Sequence, residues 1–318
     1  MRYRRLGRYG VRVSEVALGG WLTHGRTLDD SATESTVRKA LDLGINFFDT
    51  ADVYNRGEAE RALGVALHGT RREDHFIATK CFFPMGDGPN ERGLSRKHIV
   101  ESVHASLKRL KTDYVDLMQF HRFDAETPLD ETVRAIEDLI RQGKVLYWGV
   151  SEWQAEQISD VVGVAKELNA TPPASNQPRY SMLARGIESN ILPTCGRHGL
   201  GIVVFSPLAQ GILTGKYQPG QPPAEGTRAA DQTSNQFMRG DMNDETLARV
   251  QQLKAFANEQ GHTLASFALA WCLRKPEVTS VIIGATSPEQ VETNAAASGI
   301  ELPADVWNQA EAILEGRA

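Results

Sequence analysis

The segment Asn46-Phe47-Phe48-Asp49-Thr50-Ala51-Asp52-Val53-Tyr54 decides how the chain is read. Its first half is a short buried β-strand, two aromatics in a run that begins just after a helix-stopping Gly44. The strand delivers a carboxylate, Asp49, and the loop beyond it a phenol, Tyr54. Moving outward, Phe76-Ile77-Ala78-Thr79-Lys80 is a second strand that closes on a lysine. Val115-Asp116-Leu117-Met118-Gln119-Phe120-His121 is a third, closing on a histidine. Four polar groups therefore lie at or just past the ends of three successive hydrophobic strands.

The rest of the chain repeats this unit. Val16-Ala17-Leu18-Gly19-Gly20 is the first buried strand, after a small hairpin from Arg2–Leu6 and Val11–Val13. Helical patterns follow over about 30–43, 58–67 and, from a Ser95 cap, through Ile99, Val103 and Leu110. Later strands fall at Val145–Val150, Ala174–Gln177, Ile202–Phe205 and Val278–Ile283. The helices between them are expected at about 129–140, 155–168, 187–196, 246–260 and 264–273. Pro288 opens a last repeat helix, and Ala304–Leu314 reads as a C-terminal addition. Ser206–Gly240 is too long for an ordinary connection and reads as a functional loop.

Eight strand–helix units in 318 residues predict a (β/α)8 TIM barrel spanning 1–318 as one domain. It carries an N-terminal β-hairpin, a long loop after the seventh barrel strand and extra C-terminal helices. A doubly wound sheet is the alternative, but Gly19-Gly20-Trp21-Leu22 lacks the G-x-G-x-x-G turn that such a fold uses for a dinucleotide. In a barrel, catalytic groups gather at the C-terminal ends of the strands. Asp49, Lys80, His121, Ser151, Gln177, Phe205 and Gly284 all fall there.

Bulk properties exclude several classes. Lys and Arg total 35 against 40 Asp and Glu, a net charge of −5 without blocks of one sign. Neither nucleic acid nor an anionic membrane is an implied partner. No apolar run approaches the roughly 20 residues of a membrane span, and no signal-like segment follows Met1, so a cytoplasmic location is expected. Cys81, Cys195 and Cys272 form neither a metal spacing nor a disulfide framework; no metal is expected.

A free tyrosine, with a pKa of about 10, is a poor acid unless a neighbouring cation stabilises the tyrosinate it leaves. Lys80 can supply that cation, Asp49 can hold it, and His121 can hydrogen-bond a substrate oxygen or join the proton path. A tuned phenol facing a carbonyl is the acid half of carbonyl reduction, and the hydride implies a nicotinamide. A Schiff base on Lys80 is an open alternative, as is a purely structural Asp49–Lys80 ion pair.

Seven motifs, in order, resemble the aldo-keto reductases along nearly the whole chain. They are Phe48–Tyr54, Ile77–Lys80, Leu117–Arg122, Gly149–Ser151, Asn176–Pro178, Phe205–Gly211 and Gly284–Gln290. Within that family they are most similar to the branch of potassium-channel β subunits and bacterial small-aldehyde reductases. The resemblance implies a catalytic tetrad of Asp49, Tyr54, Lys80 and His121, with Tyr54 as general acid. It implies NADP(H) as cofactor, its carboxamide on Ser151 and Gln177, with Asp49 nearby, and its nicotinamide stacked on Phe205. Ser206, Pro207, Leu208 and Gly211 would line the phosphates, Lys216 and Arg228 the 2′-phosphate, and Gly284, Thr286, Gln290 and Asn294 the adenine end. Gly20 and Trp21 join this cleft, Trp21 also at a family position lining the substrate pocket. Departures from the pattern are Glu152, where many relatives have Asn or Arg, Thr293 in place of Glu, and Gly284-Ala285 in place of a Lys-Ser pair.

The expected substrate is a small-molecule aldehyde or ketone, with Phe82-Phe83-Pro84-Met85 as an apolar wall. A homo-oligomer fits the branch, and a nicotinamide-sensing interaction protein with slow or vestigial turnover is the other class of function.

Overall fold

A computed structural model describes residues 1–317 apart from Gln232, Gln236, Phe237 and Arg239. Those four fall in the expected loop Ser206–Gly240 and, with Ala318, lie outside the described residues. The chain opens with an antiparallel hairpin, β1 (Tyr3–Arg5) and β2 (Arg12–Ser14). Eight parallel strands then close into a barrel: β3 (Val16–Gly19), β4 (Phe47–Asp49), β5 (Phe76–Cys81), β6 (Val115–Phe120), β7 (Val145–Ser151), β8 (Ser175–Gln177), β9 (Gly201–Val204) and β10 (Val278–Ile283). Neighbours pair in chain order, and β10 returns to β3, so the predicted barrel is the observed one.

Strand alternation sorts side chains into two cores. Val16, Leu18, Phe48, Ile77, Met118, Trp148, Val150 and Ile202 face outward onto the helices. Ala17, Phe47, Phe76, Ala78, Leu117 and Val203 fill the lumen. Leu6 and Val13, both fully buried, belong to the lumen cluster, so the hairpin plugs the barrel floor.

The outer layer is α1 (Asp30–Asp42), α2 (Glu58–Ala66), α3 (Arg96–Leu110), α4 (Leu129–Arg141), α5 (Ala155–Glu167), α6 (Ile191–His198), α7 (Asp244–Glu259), α8 (Leu264–Leu273), α9 (Pro288–Ala295) and α10 (Ala304–Glu315). Caps set several starts: Asp29 accepts from Ala32 N at 2.8 Å, and the predicted Ser95 cap from His98 N at 3.3 Å. The helix expected from Ile187 begins instead at Ile191, after a short 3-10 turn at Gly186–Glu188. Pro193 explains the shift, because a proline lacks an N–H and is tolerated only in a helix's first turn. Asn243, accepting from Thr246 N at 2.9 Å, starts α7 two residues before the expected Thr246. Among the described residues no helix is long and apolar enough to cross a membrane.

Candidate active site

The same alternation that puts Phe47 and Ala78 in the lumen puts Asp49 and Lys80, two residues on, in its upper layer. Gln119, His121, Ser151 and Gln177 share that parity on β6, β7 and β8. Close approach between β7 and β8 needs Gly149: a Cβ there would lie 2.3 Å from Ser175 Oγ.

Lys80 is fully buried. Its Nζ donates to Asp49 Oδ1 at 2.6 Å, to the Thr50 carbonyl at 2.8 Å and to Tyr54 OH at 3.2 Å. The other oxygen of Asp49 accepts from Gln177 Nε2 at 2.8 Å and Gln119 Nε2 at 3.3 Å. Tyr54 stands in a 3-10 turn, Tyr54–Gly57, whose Asn55 and Arg56 have φ of 49° and 53°. Its ring meets His121 edge to face, centroids 5.7 Å apart, and Phe83 packs on the imidazole at 4.9 Å. All four residues of the expected tetrad thus meet at one end of the lumen. Sequence reasoning missed Gln119, although its place two residues before His121 puts it on the same face.

Charges follow from these contacts. Burial penalises the Lys80 ammonium, but Asp49 and the Tyr54 oxygen outweigh it and hold the lysine above its ordinary value. Burial pushes the Tyr54 phenol up, against the pull of Lys80. The lysine acts in the predicted direction, but the dry surroundings win, and the phenol keeps its proton. His121 is held well below its usual range by burial and by the nearby charges of Lys80 and Arg122, so its imidazole is neutral. Its Nδ1 has no hydrogen-bond partner.

The other expected contacts surround this centre. Ser151 Oγ donates to the Gln177 carbonyl at 2.9 Å. Glu152, at φ 58°, turns aside, and its Oε1 accepts from Arg179 N at 2.8 Å. Phe205 is half-buried against the lumen cluster. Beyond it Ser206, Ala209, Gln210 and Gly211 all have positive φ (52°, 45°, 57° and 100°), a tightly coiled turn just after β9. Pro207 and Leu208 complete the turn. A Cβ on Gly211 would lie 3.4 Å from Lys216 Nζ, so the glycine leaves a cradle beside that ammonium. The Arg228 guanidinium lies 5.9 Å from the Trp21 ring centroid, with no carboxylate within 4 Å among the described residues. Gly20 is buried beside His24.

β9 and β10 are neighbours, so this turn and the segment from Gly284 leave the rim side by side. There Thr286 N donates to Gln290 Oε1 at 3.0 Å, Ser287 caps α9, and Asn294 is buried on it. A glycine-lined cradle near two cations that, among the described residues, no carboxylate neutralises fits a phosphorylated ligand. Among the described residues no cluster of His, Cys, Asp or Glu could hold a metal ion.

Residues 15–315 match the model of the aldo/keto reductase family. The whole chain is 44% identical, over 322 residues and 98% of the relative, to a protein of Oryza sativa subsp. japonica named as a probable voltage-gated potassium channel subunit beta. A protein of the same name from Arabidopsis thaliana is 46% identical over 92% of this chain and 90% of its own. A putative subunit of that kind from Schizosaccharomyces pombe is 43% identical over 92% and 86%.

Proposed function

The chain belongs to the aldo/keto reductase family, and from that premise we propose that it is an NADPH-dependent carbonyl reductase of small aldehydes or ketones. One observation carries the reading: a single buried ammonium is hydrogen-bonded to both a carboxylate and a phenol at the mouth of the barrel.

NADPH, when bound, supplies the hydride. Ser151, Gln177 and Asp49 would hold its carboxamide and Phe205 its ring; Ser206, Pro207, Leu208 and Gly211 would cradle the phosphates, and Lys216 and Arg228 the 2′-phosphate. Gly284, Thr286, Gln290 and Asn294 would take the adenine end, with Gly20 and Trp21 closing the cleft. Tyr54 OH hydrogen-bonds the substrate carbonyl and gives it a proton as charge develops on that oxygen. Lys80, held by Asp49 and by the Thr50 carbonyl, stabilises the tyrosinate that remains. Neutral His121 donates a second hydrogen bond to the carbonyl and fixes its direction. The reading takes 1–318 as one domain, working in the cytoplasm.

Replacing Tyr54 by Phe removes the proton and leaves the ring. Turnover with NADPH and a panel of small aldehydes should fall about 10²–10⁴-fold, while NADPH still quenches tryptophan fluorescence as in the wild type. Wild-type turnover in Tyr54→Phe would sink the mechanism.

The names of the relatives support a second reading: a homo-oligomeric, nicotinamide-sensing partner of another protein. Tight NADPH retention with near-zero turnover across the panel would favour it.

A further inference from the structure

The centre contains one charge that the proton-transfer chemistry does not use. Lys80 is neutralised by Asp49 at 2.6 Å, and at the rim Arg179 is matched by Asp241 at 2.7 Å. Arg122, the residue after His121, has no such partner. Among the described residues no carboxylate lies within 4 Å of it. Its one hydrogen bond among the described residues runs from Nη1 to the His121 carbonyl at 2.5 Å. A guanidinium carries five N–H donors, so most of its fork is uncommitted. The side chain is only partly buried and so open to a ligand.

Its position matters as much as its charge. Contacts of 5.7, 4.9 and 5.4 Å run in series from Tyr54 to His121, from His121 to Phe83, and from Phe83 to the Arg122 guanidinium. The charge of Arg122 is felt by both Tyr54 and His121. A cation thus stands one ring beyond His121 and two beyond Tyr54, the two groups that would meet a carbonyl. Lys216 and Arg228 belong to the loop after β9, whereas Arg122 leaves β6, so the two cationic regions come from different parts of the rim. A wall with a flat apolar ring and a forked cation suits a ligand with a short apolar spacer and an anionic end.

We infer that Arg122 is the specificity-determining residue of this pocket and that it anchors a carboxylate or a phosphate monoester carried by the substrate some atoms from its carbonyl. The inference rests on the reductase reading for what is reduced, but not for what is bound.

The test compares substrates that differ only in charge. 5-Oxopentanoate is paired with its methyl ester, and glyceraldehyde 3-phosphate with glyceraldehyde, each with wild type, Arg122→Gln and Arg122→Lys. In the wild type at least one anion should be preferred in kcat/KM, and the pair with the larger ratio identifies the anion class. Arg122→Gln should lower that ratio about 10- to 100-fold, through KM rather than kcat, as expected for a lost charge-assisted hydrogen bond. Arg122→Lys should restore part of it. Ratios that stay fixed, or equal losses on both members of each pair, would overturn the inference.

Binding of pentanoate against pentanamide, and of glycerol 3-phosphate against glycerol, by calorimetry needs no turnover. If none of the four carbonyl compounds is reduced but an anion still binds more tightly through Arg122, the reductase reading fails and the anchor stands. If the neutral compounds are reduced and no anion is favoured, the anchor fails and the reductase reading stands.

Discussion

On the inner face of β5, Lys80 meets Asp49 and Tyr54; on the outer face, Thr79 and Cys81 border a second buried ionic cluster. There Glu60 of α2 is fully buried, accepts from Arg109 Nε of α3 at 2.6 Å and takes the Thr79 hydroxyl on its other oxygen. Beside it Asp52, from the loop that ends in Tyr54, accepts from Ser102 Oγ at 2.7 Å. Both faces hold a buried carboxylate against a cation, Lys80 fully buried and Arg109 one-quarter exposed, but they differ in what is left over. Outside, both oxygens of Glu60 are satisfied by groups that have no further task. Inside, the ammonium is shared with a phenol that opens towards the mouth. Such a pair stabilises little by itself, because desolvation offsets much of its attraction. What separates a structural pair from a working one is the third partner and its access.

Four measurements test how far the two faces differ. Tyr54→Phe should cost turnover about 10²–10⁴-fold with no loss of urea stability; a destabilised variant would mean that the inner pair is structural too.

Asp52 comes next. Burial and the nearby Glu60 push its carboxyl from 3.8 to about 7, against the Ser102 hydrogen bond. Between those values the folded protein keeps a proton that the unfolded chain has lost. This group's contribution to stability therefore falls as pH rises through the window, by up to about 4 kcal/mol. Buried His24 and His75, both lowered to about 4, act in the opposite direction over the same range, so the effect is a difference: from pH 4 to 8 the wild-type urea midpoint should drop relative to that of Asp52→Asn. Matching profiles would place the ionised carboxylate in a site able to solvate it.

Glu60→Ala strands Arg109 beside a dry pocket and should lower stability by about 3 kcal/mol, the arginine being one-quarter exposed and able to reach water. The folded fraction should turn over normally. A variant that folds as well as the wild type but fails to turn over would reverse the roles of the two faces. Ser102→Ala should have the smallest effect, about 1 kcal/mol. It removes a bond that favours the charged form, so the Asp52 titration, followed by carboxyl-carbon NMR, should move higher still; an unmoved or lower titration would show that Ser102 does not hold the carboxylate.

Much of the inner face was legible before any fold was known. Asp49, Lys80, His121, Ser151 and Gln177 all end strands with the same parity as their inward neighbours, and repetition at the ends of buried strands is a long-range signal that period and order alone carry. The outer face was not legible. Asp52 reads as one polar residue in a polar loop, and Glu60 as a helix charge facing solvent. Glu60's partner lies 49 residues away on another helix, a pairing no local spacing announces. The Gln177 amide illustrates the other limit. Its position was expected, but its bond to Asp49 is a rotamer choice made only when β4 and β8 face each other across the lumen. Likewise Arg122 was visible only as the last residue of the motif that holds His121, because having no carboxylate within 4 Å among the described residues is a property of its surroundings.

The hairpin under the barrel settles the traffic through it. With Leu6 and Val13 fully buried at the floor and Ala17, Phe47, Phe76 and Leu117 packed above them, the described side chains close the barrel along its axis. Whatever meets Tyr54 must come and go on the side where Tyr54 stands, and the turn at the far end of the chain serves as a stopper, not a second entrance.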